Sequence, residues 1–239
     1  MWGQPGGAAL MADLIAEAAA IRTADGVAGE VSGSAAPPDS VAVAAMTLAR
    51  CHDLEPLRIG VTGHRVLAET ERVEAGIEAA IARIEASHPG RPLVVVSALA
   101  EGADRLVTAA VLRRPGSRLR VVLPLPKADL LDDCATLGSK EEFLRLLARA
   151  DEVTELPAQA GRIEAYAAAN DRLLDRIDVL VAVWDGRGVQ GQAGTADVVT
   201  RARVRGLPVA RIHAGNRKPG TMEPASLGAD QGRVTYENL

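Results

Sequence analysis

The chain has 239 residues, 48% hydrophobic and 24% charged, with a formal net charge of -4. That is enough for one sizeable soluble domain with appendages, or for two small ones. The weak acidic balance supplies no global field for nucleic acid or anionic lipid, and two Trp, two Tyr and one Phe are too few for single-strand stacking platforms.

Residues 1–53 read as an N-terminal extension, partly disordered. Residues 8–22 have helical composition, 23–40 are rich in Gly, Ser, Ala and Pro, and 41–51 form a second short helical stretch. Such a linker cannot bury a core. The stretch lacks the basic and apolar regions of a signal peptide, and no apolar run spans a membrane, so a cytoplasmic location is expected.

The core domain is expected at 54–213. An apolar run at 57–62 is the first strand, and 69–87 follows as a helix with Val73, Ile77, Ile81 and Ile84 on one face. Residues 93–96 form a second strand, which leads through 97–105 into a helix ending near Leu112. Strands follow at 119–123 and 152–156, separated by a polar, partly helical segment at 129–150. A helix at 165–176, a strong strand at 178–184, a helix from Thr195 to about Arg205 and a last strand at 207–212 complete the pattern. Residues 214–239 carry no periodicity and read as a C-terminal tail. About six β-branched runs separated by helices predict an α/β fold, Rossmann-like and doubly wound, around a mostly parallel sheet.

In such a sheet, ligands bind at the carboxyl ends of the strands, at the point where strand order reverses. Three groups of residues stand there: Gly60, Thr62, Gly63, His64 and Arg65; Ser97, Glu101, Gly102 and Asp104; and Trp184, Asp185 and Gly186 with Gly191, Gly194 and Thr195. The first group predicts a strand, a glycine turn and a helix N-terminus that offers backbone N–H groups to an anion. It is neither a P-loop nor a dinucleotide fingerprint.

Each assignment has a plainer counterpart. Gly63 either meets a phosphate or supplies a positive φ. Thr195 bonds a phosphate oxygen or caps its helix. Asp185 accepts from a ribose hydroxyl or holds the Gly186 turn. Trp184 stacks a base or packs the core. Glu101 and Asp104 are acid/base candidates or partners of a helix dipole.

Cys51 and Cys134 form no CxxC pair, and the histidines at 52, 64, 88 and 213 have no metal-like spacing with them. No metal and no cofactor are expected. Side chains of sequence neighbours normally diverge, which argues against a catalytic dyad of Cys51 and His52.

Taken together, Gly60–Arg65, Ser97–Asp104, and Trp184-Asp185-Gly186 followed by 191–197 resemble the SLOG superfamily. That superfamily comprises Rossmann-like domains similar to the Lonely-guy phosphoribohydrolases, the DNA-processing protein DprA and the TRPM channel sensor domain. The resemblance covers about residues 55–213. It implies a nucleotide or nucleotide-derived ligand, with Gly63 and Gly194-Thr195 on its phosphate, and relatives that commonly form homo-oligomers. Lonely-guy enzymes carry PGGxGTxxE. Here Gly191, Gly194 and Thr195 match, but Gln192 replaces the second glycine and Val198 stands where the catalytic Glu would be. Asp197 is one residue early, about 100° around a helix, and Arg172 is a loose counterpart of the family's catalytic arginine.

Two readings follow. The first is a nucleotide-binding sensor or regulatory domain. The second is a nucleotide-processing hydrolase, phosphoribohydrolase-like, with acid/base candidates Glu101, Asp104 and Asp197 together with Arg172. DNA binding would require a basic face, for which Arg113, Arg114, Arg118 and Arg120 are the available residues.

Overall fold

The structure is a computed structural model and describes residues 54–188, 193–218 and 220–239. The expected extension at 1–53 and Gly191 lie outside the described residues. Seven strands form one sheet: β1 (Leu57–Gly63), β2 (Leu93–Ser97), β3 (Arg118–Leu123), β4 (Glu152–Glu155), β5 (Val179–Trp184), β6 (Val209–His213) and β7 (Val234–Glu237). Six helices connect them: α1 (Thr70–Ser87), α2 (Ala103–Leu112), α3 (Lys127–Asp132), α4 (Leu137–Ala148), α5 (Arg162–Leu174) and α6 (Thr195–Val204). The sheet order is β4-β3-β2-β1-β5-β6-β7. The chain therefore reverses direction across the sheet between β1 and β5, which pair in parallel with Ile59 opposite Val179.

The strands alternate between two buried faces. Val179, Val181 and Val183 join the core beneath α1 and α2, whereas Leu180, Ala182 and Trp184 join the core beneath α5 and α6. Both sets are apolar because a parallel sheet is covered on both sides. The four apolar residues of α1 that set its period are all buried at 1% exposure or less; truncating such a side chain to Ala typically costs ~2–5 kcal/mol.

The tail reading of 214–239 is corrected. Val234–Glu237 adds a seventh strand, antiparallel to β6, with Val209 opposite Glu237. Its short alternating pattern follows a stretch with Gly228, Gly232 and a 3-10 turn at Gly228–Asp230, which hides it from a periodicity search.

The two ends of the sheet differ. At the amino ends, charge is used in pairs. Asp178 accepts from the Arg58 backbone N–H at 2.9 Å and from its guanidinium at 3.1 and 2.7 Å, and Glu152 accepts from Arg176 at 2.7 Å. The carboxyl ends carry the longer loops described next.

Candidate functional site

The first surprise is at β1. A Cβ on Gly63 would lie 2.4 Å from the Cβ of Ala103 and 2.6 Å from the Val183 carbonyl. Gly63 is therefore needed for close packing between β1, β5 and α2, and its φ is not positive. Gly60 is similarly pressed, with Ile177 2.5 Å from where a Cβ would stand. Thr62 is buried between them.

The expected tight turn into a helix is also different. Helix α1 starts at Thr70, after residues 64–69, and its N-cap Glu69 has a left-handed φ of 46° and no side-chain capping bond. The C-terminal segment lies along this helix start. Arg72 donates to the carbonyls of Gly228 at 2.8 Å and Ala229 at 3.2 Å, and the buried Gln231 donates to Ala68 at 2.7 Å. The helix end expected to receive an anion is lined by the protein's own chain.

His64 bolts the β1 and β5 loops together. Its Nε2 accepts from the Asp185 backbone N–H at 3.2 Å, which places the ring proton on Nδ1, and burial lowers its pKa despite the nearby Asp185 carboxylate. Asp185 accepts from the Arg187 N–H at 3.0 Å, the turn-holding arrangement, and Gly186 supplies φ 80°. Trp184 is 6% exposed and packs in the core, as in the plainer reading.

The β2–α2 loop is a dense polar turn. The Ser97 hydroxyl donates to Asp104 at 3.2 Å and accepts from the Leu99 N–H at 2.9 Å, and Asp104 also accepts from Ala100 at 3.4 Å. Burial pushes the Asp104 carboxyl up to about 6, although the Ser97 and Ala100 donors and the Arg65 charge act in the opposite direction. Leu99 holds φ 58°, an uncommon backbone for a γ-branched residue, and its carbonyl accepts from the buried Arg105 at 3.1 Å. Gly102, at φ 77°, brings this loop against the carbonyls of Arg65 and His64, 2.4 and 2.6 Å from where a Cβ would stand.

Next to this loop is a cavity at the carboxyl ends of β1–β3, lined by Arg65, Ala98–Glu101, Arg105, Pro124, Leu130, Asp133, Cys134, Phe143 and Tyr166. Arg65 and Tyr166 stand together at its side: the guanidinium lies 5.6 Å from the ring centroid and donates to the phenol oxygen at 3.2 Å. Glu101 and Arg105 are already engaged. Glu101 accepts from the Ala135 N–H at 3.1 Å and from the Ser139 hydroxyl, while Arg105 donates to the Ser139 hydroxyl at 2.8 Å and to Glu142 at 3.1 Å. Burial pushes the Glu101 carboxyl up, but those donors and the Arg105 and Arg65 charges outweigh it and hold the pKa below its ordinary value. Glu101 is thus a structural anion rather than a proton donor near neutrality.

Helix α5 links this cavity to the third loop. Tyr166 reaches Arg65, and Asn170, one turn on, donates to the Ala193 carbonyl at 3.0 Å. Ala193 holds φ 65° and leads into Gly194, the N-cap of α6. No side chain caps this helix, so Thr195 is its first residue and not its cap. Among the described residues, no heavy atom other than its chain neighbours lies within 4 Å of a Cβ placed on Gly194.

Two catalytic candidates do not line this cavity. Arg172 is exposed beside Leu156 and Pro157, in a separate cleft; six residues beyond Tyr166, it points to another side of α5. Asp197 is 3.6 Å from Arg201 in an i,i+4 pair. Three of the four arginines offered for DNA are paired: Glu78 pairs with Arg113 and lies 2.7 Å from Arg114, Glu85 lies 3.5 Å from Arg114, and Glu152 is 3.3 Å from Arg120.

The sequence reading missed Tyr166, Phe143 and Asn170. Scarcity was the available signal. Of five aromatic residues in the chain, Tyr166, Phe143 and Trp184 each carry an arginine guanidinium 5.2–5.9 Å from the ring centroid. Periodicity could mark Phe143 only as a core residue beside Leu146, and it could not find Tyr166 and Asn170, which lie off the buried face of α5.

Among the described residues no helix is long and apolar enough to cross a membrane, and no cluster of His, Cys, Asp and Glu could hold a metal ion. No protein-family model matches the chain, and no curated protein matches it. Several solved structures are similar to it, among them these two. One is the X-ray structure of TM1055, a structural-genomics target, at 18% identity and TM-score 0.39, covering 64% of this chain and 72% of that one. The other is the molybdenum cofactor carrier protein from Chlamydomonas reinhardtii, at 20% identity and TM-score 0.38, covering 65% of this chain and 75% of that one.

Proposed function

We propose that this chain is a cytoplasmic, SLOG-type binding domain whose cleft takes a nucleotide or nucleotide-derived molecule as a signal. The observation that carries the reading is the placement of Tyr166 and Asn170, one helical turn apart on α5, against the loops after β1 and β5. A ligand lying along this face meets an arginine and a phenol ring at one end. At the other it meets the uncapped start of α6 at Gly194-Thr195, where a helix end favours negative charge. Arg65 is suited to phosphate oxygens, and the Tyr166 ring to a base face.

The sensor role is preferred over turnover because Glu101 is held ionised by its own donors and Asp197 pairs with Arg201. Asp104 favours the second reading, a nucleotide hydrolase. It is a buried carboxyl with a pKa of about 6, within the range of general acids.

The test is a thermal-shift and calorimetric panel of AMP, ADP, ATP, GTP, NAD, ADP-ribose and cyclic nucleotides with the full chain. A ligand at 100 times its Kd stabilises by about 2.7 kcal/mol. Arg65→Ala should weaken binding by roughly tenfold or more, the loss of one charge-assisted contact, without lowering the ligand-free melting point. A hit whose affinity ignores Arg65→Ala and Tyr166→Ala would sink the cleft assignment. Release of free base or inorganic phosphate, abolished in Asp104→Asn, would move the conclusion to the hydrolase.

A further inference from the structure

Beyond the cleft, on the other flank of β5, one cation lacks the partner that its neighbours have. Arg211, on β6, sits across from Ala182 on the same sheet face as Trp184. Its guanidinium is 5.2 Å from the Trp184 ring centroid, and its Nε donates to the Trp184 carbonyl at 3.4 Å. Gly186 lies against it so closely that a Cβ there would be 2.1 Å from one terminal guanidinium nitrogen.

The surrounding arginines are paired. Arg203 donates to Glu237 at 2.8 and 2.6 Å, Arg233 donates to Asp230 at 2.9 Å, and Arg187 is 3.6 Å from Asp185. Among the described residues no carboxylate forms an ion pair with Arg211, and no protein acceptor takes its two terminal nitrogens. Arg233 is held beside it. The His213 Nδ1 accepts from Arg233 at 3.3 Å, which leaves the Nε2 proton for the Thr235 hydroxyl at 3.1 Å, and Thr235 stands opposite Arg211 across the β6–β7 ladder. Burial, together with repulsion from Arg233 and Arg203, lowers the Arg211 pKa, although Asp185 and Glu237 act in the opposite direction.

A guanidinium stacked on a ring and backed by a glycine keeps its in-plane N–H fork for a two-oxygen face. We infer that Arg211, with Arg233 beside it, forms an oxyanion subsite at the carboxyl ends of β5 and β6 that takes a phosphate group. Arg233, although it donates to Asp230, adds positive charge close enough to repel Arg211, which favours a dianion over a monoanionic carboxylate. The site requires neither Arg65 nor Tyr166 and goes beyond the cleft reading.

The probe is inorganic phosphate, titrated at constant ionic strength into the 15N-labelled full chain, with the Trp184 indole N–H as reporter and Trp2→Phe to assign it. Phosphate should shift that signal saturably, with a Kd in the millimolar range or tighter, and acetate should not. Arg211→Gln should abolish saturation, Arg233→Gln should weaken it roughly tenfold, and Arg65→Ala should leave it unchanged. A linear, unsaturable shift would overturn the assignment, as would equal affinity in Arg211→Gln or saturation by acetate alone. Loss in Arg65→Ala would place the phosphate in the cleft instead and equally overturn it. If Arg211→Gln fails to fold, unchanged affinity in Arg233→Gln decides against the subsite.

Discussion

The loops after β1 and β2 stand side by side at the same edge of the sheet, and both depend on glycine, yet for different reasons. Gly63 vanishes into a contact between two strands and a helix, while Gly102 takes a positive φ so that its loop can lean on the carbonyls of His64 and Arg65. The β1 loop looks like an anion cradle in sequence, but its glycine is taken up by packing and Arg65 is what it contributes to the cavity. The β2 loop looks less distinctive and lines the cavity. A glycine marks a place where something approaches closely; whether that is ligand or protein is a property of the packing.

The comparison can be broken at its strongest point first. Gly63→Val should destabilise the domain by more than ~3 kcal/mol, because the added atoms meet the Val183 carbonyl and the Ala103 methyl in an interior with no room to shift. Urea denaturation of the ligand-free protein reads this directly, and a near-neutral result would restore Gly63 to a purely ligand-facing role. Gly102→Ala should cost about 3 kcal/mol, adding the left-handed backbone penalty to overpacking against the two carbonyls.

Asp104 sharpens the contrast through pH. Its folded pKa of about 6 lies above the ordinary 3.8, so the folded state binds the proton more tightly than the unfolded state does. Its contribution is fully present below about pH 4 and is lost as pH rises through about 6, on the order of 3 kcal/mol in total. Denaturation of wild type and Asp104→Asn at successive pH values should give a difference that changes across this window and is flat above it. A difference independent of pH would mean that the carboxyl is ordinary and the β2 loop is no more buried than the β1 loop.

The smallest expected effect is at the third loop. Gly194→Ala adds a methyl that meets no heavy atom of the described residues beyond its chain neighbours, at φ -83°, and should change stability by no more than about 0.5 kcal/mol, an N-cap change. If a ligand phosphate approaches α6 there, nucleotide affinity should fall while the ligand-free melting point stays. A fall in melting point of several degrees would instead make this loop a packing site like Gly63.

What the amino-acid order determined by itself was the layered α/β architecture. Unalternating β-branched runs and the four-four-three spacing on α1 are local consequences of burying strands on both faces and a helix on one. The edge of the sheet that bears the loops followed from the same logic, since parallel crossovers place the strand-to-helix turns together. Tertiary structure alone decided which loop residues face a cavity. Gly63 and Gly102 read alike in sequence, and the distances to Ala103 and to the Arg65 carbonyl that separate their roles come from elements distant along the chain. Tyr166 reaches Arg65 across 101 positions, and Gln231 reaches Ala68 across 163. Such contacts are set by how helices dock on the sheet, and neither composition nor periodicity records that docking. The seventh strand has the same cause: Val234, Thr235 and Tyr236 favour a strand, but a run of four residues after glycine turns is too short to stand out, and pairing with β6 secures it.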